Sequence, residues 1–109
     1  MKLQTDYSSG VLYIRMLGEL DHHSAEAALR EIEKAMDHYL PRSCALDMSG
    51  LTFMDSSGIA VVLRSQKRMN ETTGQFWLVH PSPQPERVLT ASGVNRLVQI
   101  KYLESESIR

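Results

Sequence analysis

The sequence predicts an α/β domain: a mixed, mostly parallel sheet of four to five strands with helices packed against it. Short runs of apolar and aromatic residues, typical of strands, recur along the chain and alternate with segments of helical periodicity. The first two strands follow one another directly, whereas the later ones are separated by helices, an order that favours parallel pairing after an opening hairpin. With 109 residues and no linker or repeat, residues 1–109 are expected to form one domain.

The opening segments predict a hairpin followed by a helix. Strands are expected at residues 2–7 and 11–17, joined by a Ser-Ser-Gly turn that ends at Gly10. Gly18 breaks the pattern of the second strand. Apolar residues then recur at spacings of three and four over residues 24–39, which predicts the first helix.

The middle of the chain predicts a third strand at residues 43–48, continuing toward Ser49 and Gly50, and a second helix at about 57–73. Residues 51–54 connect the two. Gly74 follows the helix in the position that a C-cap glycine usually takes. The strand contains Cys44, whose apolar neighbours favour a buried thiol.

The last third predicts a fourth strand at residues 75–80 and a fifth at 97–102, with a short helix at 86–91 between them. Three prolines in residues 81–85 indicate a loop before that helix. Residues 104–109 are expected to be a frayed or weakly helical end.

Composition excludes several classes of protein. Twelve basic and thirteen acidic residues give a net charge of −1, so the basic footprint of a direct nucleic-acid binder is absent. One cysteine excludes an internal disulfide and a Cys-rich zinc module. No signal-peptide core follows the first residues, and the longest apolar run, 59–63, is too short to cross a bilayer. The chain is therefore expected to be cytoplasmic, with no membrane partner.

The segment Asp55-Ser56-Ser57-Gly58 is the most informative for function. It opens a helix after a strand, the position where sites gather in parallel sheets. A serine there is exposed, and a helix N-terminus tolerates a phosphate. Asp and Ser are also preferred N-caps, and from local physics alone plain capping is the favoured explanation of the segment. The two interpretations are compatible.

Catalytic and metal-binding interpretations are weaker. Met54 stands where the first glycine of the Gly-x-Ser-x-Gly nucleophile elbow belongs, so Ser56 is not expected to be a nucleophile. Asp21-His22-His23 contains possible metal ligands, but adjacent histidines point in different directions and seldom share an ion. A solvated loop that caps the first helix explains these residues better. Neither a metal nor a cofactor is predicted, and no nucleotide-binding motif is found.

Two longer segments resemble a known family. Residues 18–26, Gly-Glu-Leu-Asp-His-His-Ser-Ala-Glu, and residues 51–59, Leu-Thr-Phe-Met-Asp-Ser-Ser-Gly-Ile, are similar to the anti-sigma-factor antagonists of the STAS family. The likeness covers essentially the whole chain, including Ala-Ser-Gly-Val at 91–94. The Asp-His-His segment points to the branch of the sporulation sigma-F pathway.

The resemblance implies a regulatory function without catalysis. Ser56 would be phosphorylated by a partner that is both an anti-sigma factor and a serine kinase, and a serine phosphatase would reverse the modification. The unmodified form would bind that partner and release the sigma factor, and phosphorylation would end the binding. Ala60 and Arg64 depart from the family, whose members carry glycines there. The implied partner-binding residues are Asp21, His22, His23, Asp55, Ser57, Gly58 and Ile59.

Two alternatives remain open at this stage. The chain could be a STAS domain of another setting, such as a general-stress regulator or a transport complex. It could instead be a small serine hydrolase or metal-dependent phosphoesterase built on Ser56 or on Asp21-His22-His23, an interpretation that the missing motifs disfavour.

Overall fold

The computed structural model describes residues 1–102 and contains a five-stranded mixed sheet in the order β1-β2-β3-β4-β5. Strand β1 (Lys2–Ser8) is antiparallel to β2 (Val11–Leu20), and the remaining neighbours are parallel: β3 (Ser43–Met54), β4 (Gln75–Val79) and β5 (Gln99–Lys101). The predicted α/β class, the opening hairpin and the mixed sheet are confirmed.

Three helices lie along this sheet: α1 (Ala25–Tyr39), α2 (Ser56–Glu71) and α3 (Pro83–Ser92), followed by one 3₁₀ turn (Val94–Arg96). Their buried faces and alternate residues of the central strands form one apolar core. In β2 alternate side chains, Leu12, Ile14 and Met16, enter this core, as the pleat requires. The core includes Leu12, Ile14, Met16, Ile32, Met36, Cys44, Leu46, Met48, Val62, Leu78 and Leu89.

Strands β2 and β3 are longer than the sequence predicts. The strand expected to end at residue 17 continues to Leu20, and the one expected to end near Gly50 continues to Met54. Register shifts between Arg15 and Leu17 and between Gly18 and Glu19 let the pair continue. We call the paired segments 17–20 and 50–54 the β2–β3 extension, which passes beyond β4, since β3 pairs with β4 only over residues 43–47.

The ends of α2 also differ from prediction. The helix begins at Ser56 and ends at Glu71, and the left-handed residue after it is Thr73 (φ 58°), so the predicted glycine C-cap is wrong. Gly74 is needed for close packing instead. A Cβ there would lie 2.4 Å from Met69 Cε and 3.1 Å from the Arg42 carbonyl oxygen.

The start of α3 and the limits of β5 also differ from prediction. Helix α3 begins at Pro83, three residues before the predicted start, because a proline in the first turn sacrifices no helical hydrogen bond. Strand β5 begins at Gln99 rather than at 97, since the 3₁₀ turn precedes it. The end predicted for residues 104–109 lies outside the described residues.

Candidate functional site

The two loops singled out by the sequence lie side by side at the carboxyl end of the β2–β3 extension. Leu20 and Met54 are paired in register, so Asp21 and Asp55 each follow directly after one of two neighbouring parallel strands. The structure therefore brings segments 21–23 and 55–59 together, although more than 30 positions separate them in the chain.

Asp55 joins these loops through its carboxylate. Its Oδ1 accepts a hydrogen bond from the Ser57 N–H at 2.8 Å, which caps α2, and its Oδ2 accepts one from the His22 N–H at 3.2 Å. The Asp55 N–H donates to the Leu20 carbonyl at 3.2 Å. The capping predicted for this segment is confirmed for Asp55, which also fixes the spacing between the two loops.

Asp21 orders the turn that leads into α1. Its Oδ1 accepts from the N–H groups of His23 (3.0 Å) and Ser24 (3.1 Å), while its own N–H donates to Ser24 Oγ at 3.0 Å. Desolvation acts to raise the pKa of the Asp21 carboxyl. The hydrogen bonds from Ser24 and His23 together have the larger, opposite effect, so the net shift of the pKa is downward. Asp21 is therefore a carboxylate near neutral pH. Ser24 stands at the N-cap position of α1 without a side-chain cap hydrogen bond, and the N–H groups that donate to the Asp21 carboxylate belong to the turn before the helix. The side-chain capping of α1 predicted for Asp21 or Ser24 is therefore wrong.

His22 and His23 present exposed side chains on this loop. Their ring centroids are 5.6 Å apart and the ring planes meet at 66°. Within residues 1–102, no three His, Cys, Asp or Glu side chains come close enough together to hold a metal ion. The loop thus exposes two imidazoles beside one ordered carboxylate.

Ser56 is the first residue of α2 and is exposed, whereas Ser57 and Ile59 are half-buried. Gly58 is buried, and a Cβ there would lie 2.3 Å from Met54 Cγ. The structure therefore does not place Gly58 on the surface with the other predicted contact residues. Its lack of a side chain lets α2 begin directly against β3.

Ser56 exposes its side chain at the N-terminus of α2. The helix N-terminus carries partial positive charge that favours an anion on this hydroxyl. Among the described residues, no histidine, lysine or carboxylate hydrogen-bonds to the Ser56 hydroxyl, so the arrangement of a base-activated nucleophile is not seen in residues 1–102.

Gln84 is a residue of this region that the sequence did not reveal. Its Oε1 accepts from the Met54 N–H at 2.8 Å and its Nε2 donates to the Met54 carbonyl at 3.0 Å. Beside it, the Ser82 hydroxyl donates to the Leu51 carbonyl. Both polar residues lie in the proline-rich segment, but no local pattern links them to a strand 30 positions earlier.

A cavity of about 630 Å³ lies at the opposite end of the sheet. It is lined by the first residues of the parallel strands, Val11, Ser43 and Gln75, and by the last turns of α1 and α2. It is therefore separate from the loops around Ser56.

Comparison with known proteins shows the family. The sequence profile of the STAS domain matches residues 2–107, and the chain belongs to the STAS domain family. It is 30% identical over 100 residues to the anti-sigma F factor antagonist of Paenibacillus polymyxa, covering 92% of this chain and 86% of the relative. It is 36% identical over 81 residues to that of Lysinibacillus sphaericus, covering 74% and 69%. The chain is thus a homologue of anti-sigma F factor antagonists.

Solved structures support the same relation. The anti-sigma factor antagonist SpoIIAA in its unphosphorylated form superposes with a TM-score of 0.81 at 28% identity, covering 98% of this chain and 92% of that one. The Bacillus cell fate determinant SpoIIAA in its phosphorylated form gives a TM-score of 0.74 at 28% identity, covering 98% and 96%. The predicted resemblance to the STAS anti-sigma-factor antagonists is confirmed. Over the described residues, the helices are too short or too polar for a membrane span.

Proposed function

We propose that this protein is an anti-sigma-factor antagonist controlled by phosphorylation at Ser56. The unmodified form binds an anti-sigma factor that is also a serine kinase and thereby releases a sigma factor. Phosphate on Ser56 ends this binding, and a serine phosphatase restores it. The observation that carries the proposal is the exposed Ser56 hydroxyl at the start of α2, beside a second loop held in place by Asp55. The names of the relatives support the anti-sigma factor as partner, and the two forms of SpoIIAA support the modification.

The proposed contact surface consists of both loops at the carboxyl end of the β2–β3 extension. It includes the Asp21 carboxylate and the exposed imidazoles of His22 and His23, with Asp55, Ser57 and Ile59 around the acceptor. Because the Asp55 carboxylate ties the loops together, a partner meets one preformed surface. The protein is a substrate and a switch, and we assign it no catalysis or cofactor of its own.

Electrostatics explains why phosphate switches binding off. Phosphoserine carries about −1.5 to −2 charges near neutral pH. On Ser56 it lies next to Asp55, and the N-terminus of α2 offsets roughly 0.3–1 kcal/mol of the cost for an exposed anion. The free protein therefore keeps its fold. In the complex the phosphate loses its water near the nucleotide phosphates of the kinase, and a loss of about 2.8 kcal/mol weakens binding about a hundredfold.

Mass spectrometry tests the acceptor. The protein is incubated with the cognate anti-sigma factor kinase and ATP, and the phosphate is located by peptide mapping. Ser56→Ala should abolish phosphorylation and leave kinase binding largely intact, because the hydroxyl is a small part of the surface. Ser57→Ala is the matched control and should still take up one phosphate. Phosphate incorporation in Ser56→Ala would show that the acceptor lies elsewhere.

Calorimetry tests the switch. Unmodified, phosphorylated and Ser56→Asp proteins are titrated into the nucleotide-loaded kinase, and circular dichroism is recorded for each. We expect strong, weak and intermediate binding, because aspartate supplies one charge and a smaller group. Equal affinities would contradict the electrostatic switch, and a collapsed spectrum would mean that phosphate acts by unfolding.

The most specific part of the proposal is the identity of the sigma factor that is released. The Asp-His-His segment at 21–23 and the names of both relatives favour the sporulation sigma-F branch. Reconstitution decides this: the protein is added to anti-sigma–sigma complexes of the sporulation and general-stress types, and released sigma factor is measured. Release from the general-stress complex alone would move the protein to that branch, and release from neither would favour a STAS domain of a transport complex.

A further inference from the structure

The geometry points to Gln84 as a positioning residue for the phosphoacceptor. Its side-chain amide completes the hydrogen bonding of Met54 and so fixes the segment that displays Ser56. This inference rests on the proposed function of Ser56 and adds the residue that sets the geometry of phosphate transfer.

Among the described residues, the edge of β3 that faces β4 has no strand partner just before Ser56. Strand β4 ends at Val79, whose partner on β3 is Asp47, so residues 48–54 have no strand neighbour on that side. On the other side the Asp55 N–H bonds to the Leu20 carbonyl of β2. In a parallel ladder the N–H and C=O of the preceding residue, Met54, then face the open edge.

Gln84 occupies this open edge as one peptide unit of a neighbouring strand would. The amide accepts from the Met54 N–H at 2.8 Å and donates to the Met54 carbonyl at 3.0 Å, which satisfies both backbone groups with one planar side chain. A carboxylate or an apolar side chain of equal length cannot do both, because the pair requires one donor and one acceptor.

The backbone that carries the Gln84 side chain is itself restricted. Gln84 is the second residue of α3, between Pro83 and the buried Pro85, whose rings restrict the backbone on either side. The Ser82 hydroxyl adds a further bond to the Leu51 carbonyl, three residues before Met54. The start of α3 is therefore attached to the β2–β3 extension at two points.

Met54 transmits this constraint to the acceptor. Its side chain is fully buried and lies beneath Gly58, where a Cβ would come within 2.3 Å of Met54 Cγ. With backbone and side chain both fixed, Asp55 and Ser56 leave the strand in one direction. Loss of the amide frees the edge of β3 and lets this segment open.

Amide exchange tests the local effect without any partner. Exchange is measured by NMR in wild type, Gln84→Ala and Gln84→Met, the last of which keeps the chain length but makes neither bond. Two ordinary hydrogen bonds correspond to about a tenfold to hundredfold faster exchange at Met54. Gln66→Ala is the matched control, because its Nε2 donates to the Leu97 carbonyl at 2.9 Å. It lies ten residues from Ser56, about 15 Å along α2. Unchanged protection of Met54 in Gln84→Met would overturn the inference.

Phosphorylation kinetics test the positioning role. With the cognate kinase we expect Gln84→Met to lower kcat about tenfold and to leave KM within about twofold, since both loops remain available for docking. Gln66→Ala should leave both constants unchanged. A wild-type kcat in Gln84→Met, or equal losses in both variants, would overturn the positioning role. If wild type takes no phosphate on Ser56, the proposed function fails, and exchange alone decides whether Gln84 orders the segment.

Discussion

Replacing Asp55 with alanine removes the acceptor of two hydrogen bonds that serve different purposes. One caps α2 at the Ser57 N–H (2.8 Å), and the other holds the His22 N–H (3.2 Å) of the neighbouring loop. Loss of an N-cap costs about 1 kcal/mol, within a range of about 0.5–2. Loss of an ordinary hydrogen bond costs about 0.5–1.5 kcal/mol, and the exposed position of this one favours the lower end.

Together these losses give about 1.5 kcal/mol. For a domain of about 100 residues, each kcal/mol lowers the melting temperature by roughly 4–8 °C, so Asp55→Ala should lower it by about 10 °C. Asp55→Asn is the informative companion. Its amide oxygen can still cap α2, but its NH₂ group cannot accept from His22, so only about a third of the loss is expected.

Urea denaturation measures the total loss, and amide exchange assigns it to the two bonds. The His22 amide should exchange faster in both variants, whereas the Ser57 amide should do so only in Asp55→Ala. A loss below about 0.5 kcal/mol for Asp55→Ala would refute the reasoning, since it lies below the range for a single N-cap. Equal losses for alanine and asparagine would show that charge, rather than the two bonds, stabilises the loops.

The remaining predictions concern the core and the sheet. Ile32→Ala should destabilise the fold by about 2–5 kcal/mol in urea denaturation, because this side chain is fully buried. Ser65→Ala should stabilise it by about 0.5–1 kcal/mol, since the buried Ser65 hydroxyl has no partner among the described residues and alanine favours helix. Burial acts to raise the pKa of Asp47, but the hydrogen bond from the Tyr13 hydroxyl (2.5 Å) and the other hydrogen bonds outweigh it. The net pKa of Asp47 is therefore lowered. The pair therefore stabilises the fold above the unfolded pKa of about 4, and this contribution is lost as pH falls through the lower folded pKa. The deficit of Tyr13→Phe should be full at pH 7 and shrink below about pH 4 in melting curves. Burial raises the pKa of the Cys44 thiol to about 12, so labelling by a thiol reagent at pH 8 should proceed only as fast as the protein opens.

The structure could be predicted from the sequence where residue type alone determines local structure. Asp55 is a good capping residue, and it caps α2 in the structure. The sequence was insufficient where distant segments decide the outcome. Residues 51–54 look like a connector in the sequence, yet they belong to β3. This strand bulges against β2 at two places, and its Gly50 leaves room for Leu17.

The start of α3 shows a second limit. Three prolines close together indicate a loop, but Pro83 and Pro85 lie in the first helical turn, where the backbone N–H groups have no helical partner to lose. The contact of Gln84 with Met54 was out of reach for a similar reason. It depends on where α3 is placed against the sheet, and no spacing within the chain reports that position.

The attachment of Met54 and Asp55 to distant segments has a consequence for the growing chain. The acceptor segment is held by His22, 33 positions before Asp55, and by Gln84, 30 positions after Met54. A chain that has emerged from the ribosome only as far as residue 60 already contains Ser56 but lacks one of these two supports. A synthetic peptide around Ser56 lacks both. The geometry of this serine is thus available only after Gln84 has been made and has folded against Met54, which separates folded molecules from fragments with the same local sequence.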